Sequence, residues 1–183
     1  MDLPAEANGF VPSADWKQQT QGTPWFIGDT YNLSIGQGDL LVTPLQVAEF
    51  TATVAMGGKK PTPHVLMSYG DASSTAAWPM SEPVADVSII QTVRLGMRDC
   101  VTYGSGRALA SFPVPVAGKT GTAQWRNDKP NQAWFTAFAP FDDPQVVVTV
   151  LIEEGGEGSS VAVPVARDVL QAWLDGQKDL TGR

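Results

Sequence analysis

Residues 114–125, 133–139 and 146–152 are three strand-like runs, parted only by the turn sequences Asn127-Asp128-Lys129-Pro130 and Asp142-Asp143-Pro144. Gaps this short cannot hold the crossover that a parallel pair requires, so the runs are predicted to pair in order as an antiparallel meander. Helical patterns lie on either side of them in the chain. Thr43 is a candidate N-cap with Pro44 at the first helical position, and Leu45, Ala48, Glu49, Ala52 and Ala55 recur at intervals of three and four until Gly57-Gly58. A second helix is predicted over about residues 84–103, with Val87, Ile90, Val93 or Arg94, Met97 and Val101 on one side and a close at Gly104-Ser105-Gly106. A third covers 161–174 and carries Val165, Val169, Ala172 and Trp173. The expected fold class is therefore α/β of the α+β kind, an antiparallel sheet flanked by helices.

The remaining segments are less regular. Residues 1–42 read as an irregular wrapped segment, rich in Pro, Gly and polar residues and pinned by Trp16, Trp25 and Phe26. Within it, Asn32-Leu33-Ser34-Ile35-Gly36-Gln37-Gly38-Asp39 is a glycine-punctuated turn. Residues 63–69 read as a short strand, 71–83 as a polar loop and 107–113 as a connector. At 183 residues the chain suits one domain, or a large piece of one. With 43% hydrophobic and 17% charged residues it is expected to be ordered, and its formal charge of -7 argues against nucleic acid as a partner. No run of about 20 apolar residues and no signal-peptide pattern is present, so the chain as given is expected to be soluble.

Few residues read as chemistry. Cys100 is the single cysteine and His64 the single histidine, which leaves no disulfide, zinc cluster or Ser-His-Asp triad within the chain. Cys100 is expected to be a buried inert thiol and His64 structural or exposed. Glu153-Glu154-Gly155-Gly156-Glu157-Gly158 lacks the ligand spacing of a calcium loop and reads as a solvated turn. No metal or cofactor is expected.

The stretch that does carry chemistry is Lys119-Thr120-Gly121-Thr122: an ammonium, two hydroxyls and a glycine that permits close approach to the backbone. Three readings compete. Gly118-Lys119-Thr120 matches the end of a phosphate-binding loop, but the required earlier glycine is Pro113, which has no amide proton, and the residues after Lys119 favour strand over helix. A plain strand, with a solvated lysine and a glycine bulge, is the second. The third is the lysine strand of a serine acyltransferase.

The third draws on residues far from the tetrad. Asp2-Leu3-Pro4 with Glu6, Gly28-Asp29-Thr30-Tyr31-Asn32-Leu33-Ser34-Ile35-Gly36-Gln37-Gly38, Val42-Thr43-Pro44-Leu45-Gln46, Ala117-Gly118-Lys119-Thr120-Gly121-Thr122-Ala123-Gln124, and Ala133-Trp134-Phe135 with Phe138-Ala139-Pro140 occur in one order. In that ordered set the sequence resembles the transpeptidase domain of class B penicillin-binding proteins, and among them most resembles the cell-elongation type, penicillin-binding protein 2. The resemblance implies that residues 1–183 are the C-terminal portion of one transpeptidase domain, an incomplete penicillin-binding/β-lactamase-like fold. It implies a peptidoglycan D,D-transpeptidase that cross-links stem peptides and is a target of β-lactam antibiotics.

By the same resemblance, Lys119 would draw the substrate's terminal carboxylate, Thr120 and Thr122 would hydrogen-bond it, and the Thr122 backbone amide would donate to the oxyanion. Gly121 would leave room for the acyl chain along the strand edge. Neither Ser-x-x-Lys nor Ser-x-Asn occurs in these 183 residues. In a full-length relative both precede residue 1, so this chain alone is expected to be inactive and to need the N-terminal part of the domain. A membrane glycosyltransferase of the elongation machinery is a further expected partner, and the parent protein is expected outside the cytoplasm, anchored to the membrane. The rival functions are a non-catalytic interaction module derived from this fold and a β-lactamase-like hydrolase.

Overall fold

The computed structural model describes residues 6–65 and 80–181, with side chains through Lys178. Two compact units are present, residues 7–43 and the remainder.

In the first unit, Ala, Lys and Gln between Ser13 and Gly22 form helix α1 (Ala14–Gln21). The Ser13 hydroxyl accepts from the Trp16 amide, and Gly22 ends the helix at φ 68° while its own amide donates to the Gln18 carbonyl. Helix α2 (Ile27–Ser34) starts where the Asp29 carboxylate accepts from the Phe26 amide at 2.7 Å. It ends in a turn with Gly36 at φ 74° and Gly38 at φ 77°. The irregular segment expected over residues 1–42 is thus corrected to two short helices. The caps were present in the sequence, but neither helix has the apolar stripe that marks one. Lys17 joins them: buried in the unit, it donates to Asp29 at 2.5 Å and lies over the Phe26 ring. Phe10 pairs edge-on with Trp16 and bridges to Leu41 through two backbone hydrogen bonds.

The second unit holds α3 (Pro44–Ala55), α4 (Val87–Thr102), a 3-10 turn (Arg107–Leu109), β1 (Ala117–Ala123), β2 (Gln132–Ala139), β3 (Val146–Ile152) and α5 (Gly158–Thr181). The strands form one antiparallel sheet in the order β1-β2-β3, as the short turns required. Register aligns Lys119 with Thr136 and Thr149, and Thr120 with Phe135 and Val150. Alternation then sends Phe135, Ala137, Ala139, Val148 and Val150 to one face, where they pack with Ala162, Val163, Ala166 and Leu170 of α5. Ala117, Phe138 and Val147 face the other way, against Val54 and Ala55 of α3 and Met97 of α4. The result is a sheet between α5 on one side and α3 with α4 on the other.

Several helix faces differ from the sequence reading. In α3 the buried positions are Thr51, Thr53, Val54 and Ala55. The Thr51 hydroxyl is fully buried, donates to the Val47 carbonyl and bonds Thr136 at 2.7 Å, and Thr136 in turn bonds Thr149 at 2.8 Å. In α4, capped by Asp86, Ile90, Met97 and Val101 are buried as expected, but Val87 and Val93 are exposed. Of the two candidates Val93 and Arg94, Arg94 takes the inward position, its guanidinium over the Phe138 and Phe141 rings and bonded to the Phe141 carbonyl. Helix α5 starts earlier and runs longer than predicted, and its inward stripe is Ala162, Val163, Ala166 and Leu170, with Val165 and Val169 outside. Residues 63–65 are not strand; the rest of that predicted strand, and the predicted loop over 71–79, lie outside the described residues.

Two predictions follow from this packing. Phe135 is wholly buried between sheet and α5, so Phe135→Ala is expected to lower unfolding free energy by about 3–5 kcal/mol in urea titration. The Asp29 carboxyl is held below the usual carboxylate range, first by the Lys17 hydrogen bond and then by the Phe26 amide. A depressed folded value means that this contribution is complete above the unfolded pKa and fades as pH falls through the folded one. The Lys17 and Phe26 amide signals should therefore shift together below about pH 4, and Asp29→Asn should abolish that transition.

Candidate functional site

The tetrad lies in the middle of β1, the outermost strand on its side of the sheet among the described residues. On such a strand every second residue turns its amide and carbonyl away from the neighbouring strand. Pairing with β2 is unbroken from Ala117 to Ala123. No helix opens after Lys119, so the phosphate-loop geometry is absent, and no bulge interrupts the strand at Gly121.

What holds β1 in place comes from three directions. At its entrance, Arg98 donates to the Val116 carbonyl at 2.8 Å, and the Phe141 amide donates to Pro115 at 2.8 Å. Gly118 faces the sheet core with no space to spare; a Cβ there would lie 2.6 Å from Phe135 Cζ and 2.8 Å from the Thr136 carbonyl. From the far side, α5 begins against the strand itself. A Cβ on Gly158 would lie 2.2 Å from the Trp134 carbonyl oxygen and 2.6 Å from that of Gly121. Only glycine lets the helix start there.

Along the tetrad, Lys119 is exposed and its ammonium donates to the Thr120 carbonyl at 2.6 Å. Thr120 is half-buried, with its hydroxyl 2.6 Å from the Ser105 hydroxyl. The space left by Gly121 is used by Trp134 across the strand pair, whose Cβ would stand 3.0 Å from a Cβ at 121. Thr122 is exposed at the strand's outer end. Beyond it, Arg126 lies over the Trp125 ring and makes a two-point ion pair with Asp128.

The other candidates fall away from this edge. Cys100 is half-buried, not buried as expected, because it sits on the last turn of α4 with its sulfur 3.5 Å from Ser105. His64 is exposed and bonds the Thr62 carbonyl. In the acidic turn Glu154 pairs with Lys129. Among the described residues no three His, Cys, Asp or Glu side chains are grouped to hold a metal ion. Sequence reasoning missed Ser105, Trp134 and Gly158. Gly158 is the last residue of a glycine-rich run that reads as a turn, and Ser105 lies 15 residues from its partner.

The family described as penicillin binding protein transpeptidase domain matches residues 1–171. The chain belongs to the penicillin-binding protein transpeptidase family. Within it, the relatives place the chain in the class B, cell-elongation type. Peptidoglycan D,D-transpeptidase MrdA of Haemophilus influenzae is 35% identical over 96% of this chain and 30% of its own length, and that of Escherichia coli K12 is 33% identical over 98% and 31%. Pseudomonas aeruginosa PBP2 in complex with WCK 5153 superposes with a TM-score of 0.82 at 35% identity, over 95% of this chain and 40% of that one. PBP2 of Helicobacter pylori, solved with MreC, gives 0.79 at 32% identity over 96% and 33%. The fold is that of a penicillin-binding transpeptidase, and the chain spans about a third of the length of the curated relatives it matches.

The seating of α5 on the lysine strand is testable. Gly158→Ala is expected to cost about 1–3 kcal/mol, as overpacking does, and to displace the Gly121 and Thr122 amide signals. Gly176, with nothing within 4 Å of a Cβ, is the control: Gly176→Ala should leave those signals in place and add up to about 1 kcal/mol of stability.

Proposed function

We propose that β1 is the substrate-binding strand of a peptidoglycan D,D-transpeptidase, supplied to an active site whose nucleophile lies outside these 183 residues. The observation that carries this is the unbroken edge strand bearing Lys119, Thr120, Gly121 and Thr122, in a chain of this family. A stem peptide lying along the open edge would bond the outward backbone groups as an added strand. Lys119 attracts its terminal carboxylate, Thr120 and Thr122 hydrogen-bond that carboxylate, and the Thr122 amide donates to the oxyanion. Gly121 keeps the strand free of a side chain that Trp134 would obstruct.

In the reaction, a serine hydroxyl attacks the carbonyl of the penultimate D-alanine and loses its proton to a base. The terminal D-alanine leaves as an amine, and the acyl group then passes from the serine to the amine of a neighbouring stem peptide. A β-lactam would acylate the same serine, and penicillin-binding protein A of Mycobacterium tuberculosis, a solved relative, is known as its penicillin G and imipenem acyl-enzymes. The relative solved with MreC, and a relative within a peptidoglycan synthase complex that coordinates polymerization and crosslinking, support partners of that kind here, a membrane glycosyltransferase among them. The N-terminal part of the domain is the partner this reading requires. No helix among the described residues is long and apolar enough to cross a membrane.

Intact-protein mass spectrometry after incubation with penicillin G tests this. The 183-residue chain alone should gain no adduct; together with the N-terminal part of its domain it should gain one. In that assembly Lys119→Ala should slow acylation about 100-fold or more, on the scale set by loss of a preorganised electrostatic contact. An adduct on the isolated chain would show that the nucleophile is among these residues. No adduct on the assembly would favour the non-catalytic interaction module, and hydrolytic turnover of the antibiotic would favour the lactamase reading.

A further inference from the structure

The contact between Ser105 and Thr120 has no part in the roles assigned above. The two hydroxyl oxygens are 2.6 Å apart, at the short end of the range for such bonds. Ser105 is not on the strand. It belongs to Gly104-Ser105-Gly106, just after α4, and that tripeptide is clamped to the helix end.

The clamp is made of backbone. The Gly104 amide donates to the Asp99 carbonyl at 3.2 Å, the Gly106 amide to Cys100 at 2.9 Å, and the Arg107 amide back to Gly104 at 3.2 Å. A Cβ on Gly104 would lie 2.8 Å from Cys100 Cα, so the loop fits against the helix only because that residue is glycine. On either side, Val101 and Leu109 are anchored in the core between sheet and α5. Ser105 is thus mounted on the same core as β1, and its hydroxyl is held at a fixed place relative to Thr120.

Proton counting then gives the contact a direction. A hydroxyl has one proton to donate and two lone pairs to accept with, and a carboxylate can only accept. If Thr120 is to donate to the substrate's carboxylate, as the proposed function has it, its bond with Ser105 must be one in which Thr120 accepts. Ser105 must then donate, leaving its lone pairs for a donor behind it, and the Cys100 thiol lies 3.5 Å away. The Lys119 ammonium, engaged with the Thr120 carbonyl, makes no demand on the Thr120 hydroxyl.

We propose that Ser105 is a positioning residue, which by donating to the Thr120 hydroxyl turns that group's own proton outward to the terminal carboxylate of the stem peptide. The chain of donation runs Cys100 to Ser105 to Thr120 to substrate. Without Ser105 the Thr120 hydroxyl would rotate freely and lose the alignment before binding.

The role rests on reading β1 as the substrate strand, and one experiment separates the two. The 183-residue chain, labelled with nitrogen-15 and combined with the unlabelled N-terminal part of its domain, is titrated with N-acetyl-D-alanyl-D-alanine and with the same dipeptide as its C-terminal amide, following the amides of residues 119–122. Wild type should bind the acid more tightly than the amide. Ser105→Ala should weaken acid binding about five- to tenfold, the scale of one neutral hydrogen bond, and bring the two ligands nearer to parity. Ser105→Thr, which keeps the hydroxyl, should restore the preference. A Ser105→Ala chain with undiminished preference, or one that loses acid and amide binding equally, would overturn the positioning role while leaving the strand assignment standing. No acid-dependent shift in wild type would overturn the strand assignment, and this role with it.

Discussion

Strand β2 has fully buried side chains on both faces: Phe135, Ala137 and Ala139 toward α5, and Phe138 toward α3 and α4. A strand apolar on both sides cannot sit at an edge without exposing one of them, so it must be central and must be covered twice. Its neighbours follow from that, β1 and β3 on either side and a helical layer above and below. Among the described residues the lysine strand is outermost on its side because β2 takes the middle. The edge available to a substrate is therefore a consequence of core packing, and the residues that give β1 its place are largely hydrophobic residues that never touch a ligand.

One polar feature runs through this core. Thr51, Thr136 and Thr149 form a chain of hydroxyls from α3 across two strands, in the same row of the sheet as Lys119. Thr51 is buried and Thr136 and Thr149 half-buried, and hydroxyls so placed need partners, which here are one another. The Thr51–Thr136 bond ties α3 to the sheet: sliding the helix by a turn would break it, while Thr51 would keep the Val47 carbonyl and Thr136 would keep Thr149.

The sheet was legible because its strands are short, adjacent and divided by turn residues whose geometry allows few connections. The family was legible from the order of motifs along the chain, and the tetrad's place on a strand from the residues around it. The helix faces were legible in part. Periodicity left Val93 and Arg94 both open for the inward side of α4; Arg94 takes it because its guanidinium finds two aromatic rings and a carbonyl there. The helices α1 and α2 were missed because caps and a single buried ion pair hold them, and not an apolar stripe. Ser105 and Gly158 are the clearest failures. Both act on β1 through contacts between segments far apart in sequence, and such contacts become visible only when the fold brings them together.

The start of α5 on the backbone of Gly121 and Trp134 also bears on how the edge responds to load. A helix of 24 residues, about 36 Å long, stands behind the strand with its first residue in contact with it and its apolar stripe fixed in the core. Pushed from the ligand side, β1 has nowhere to retreat, for any inward movement would have to shift a strut that is packed along much of its length. The strand is therefore a stiff anvil. In the reading proposed above, differences in acyl shape would have to be taken up by groups other than β1.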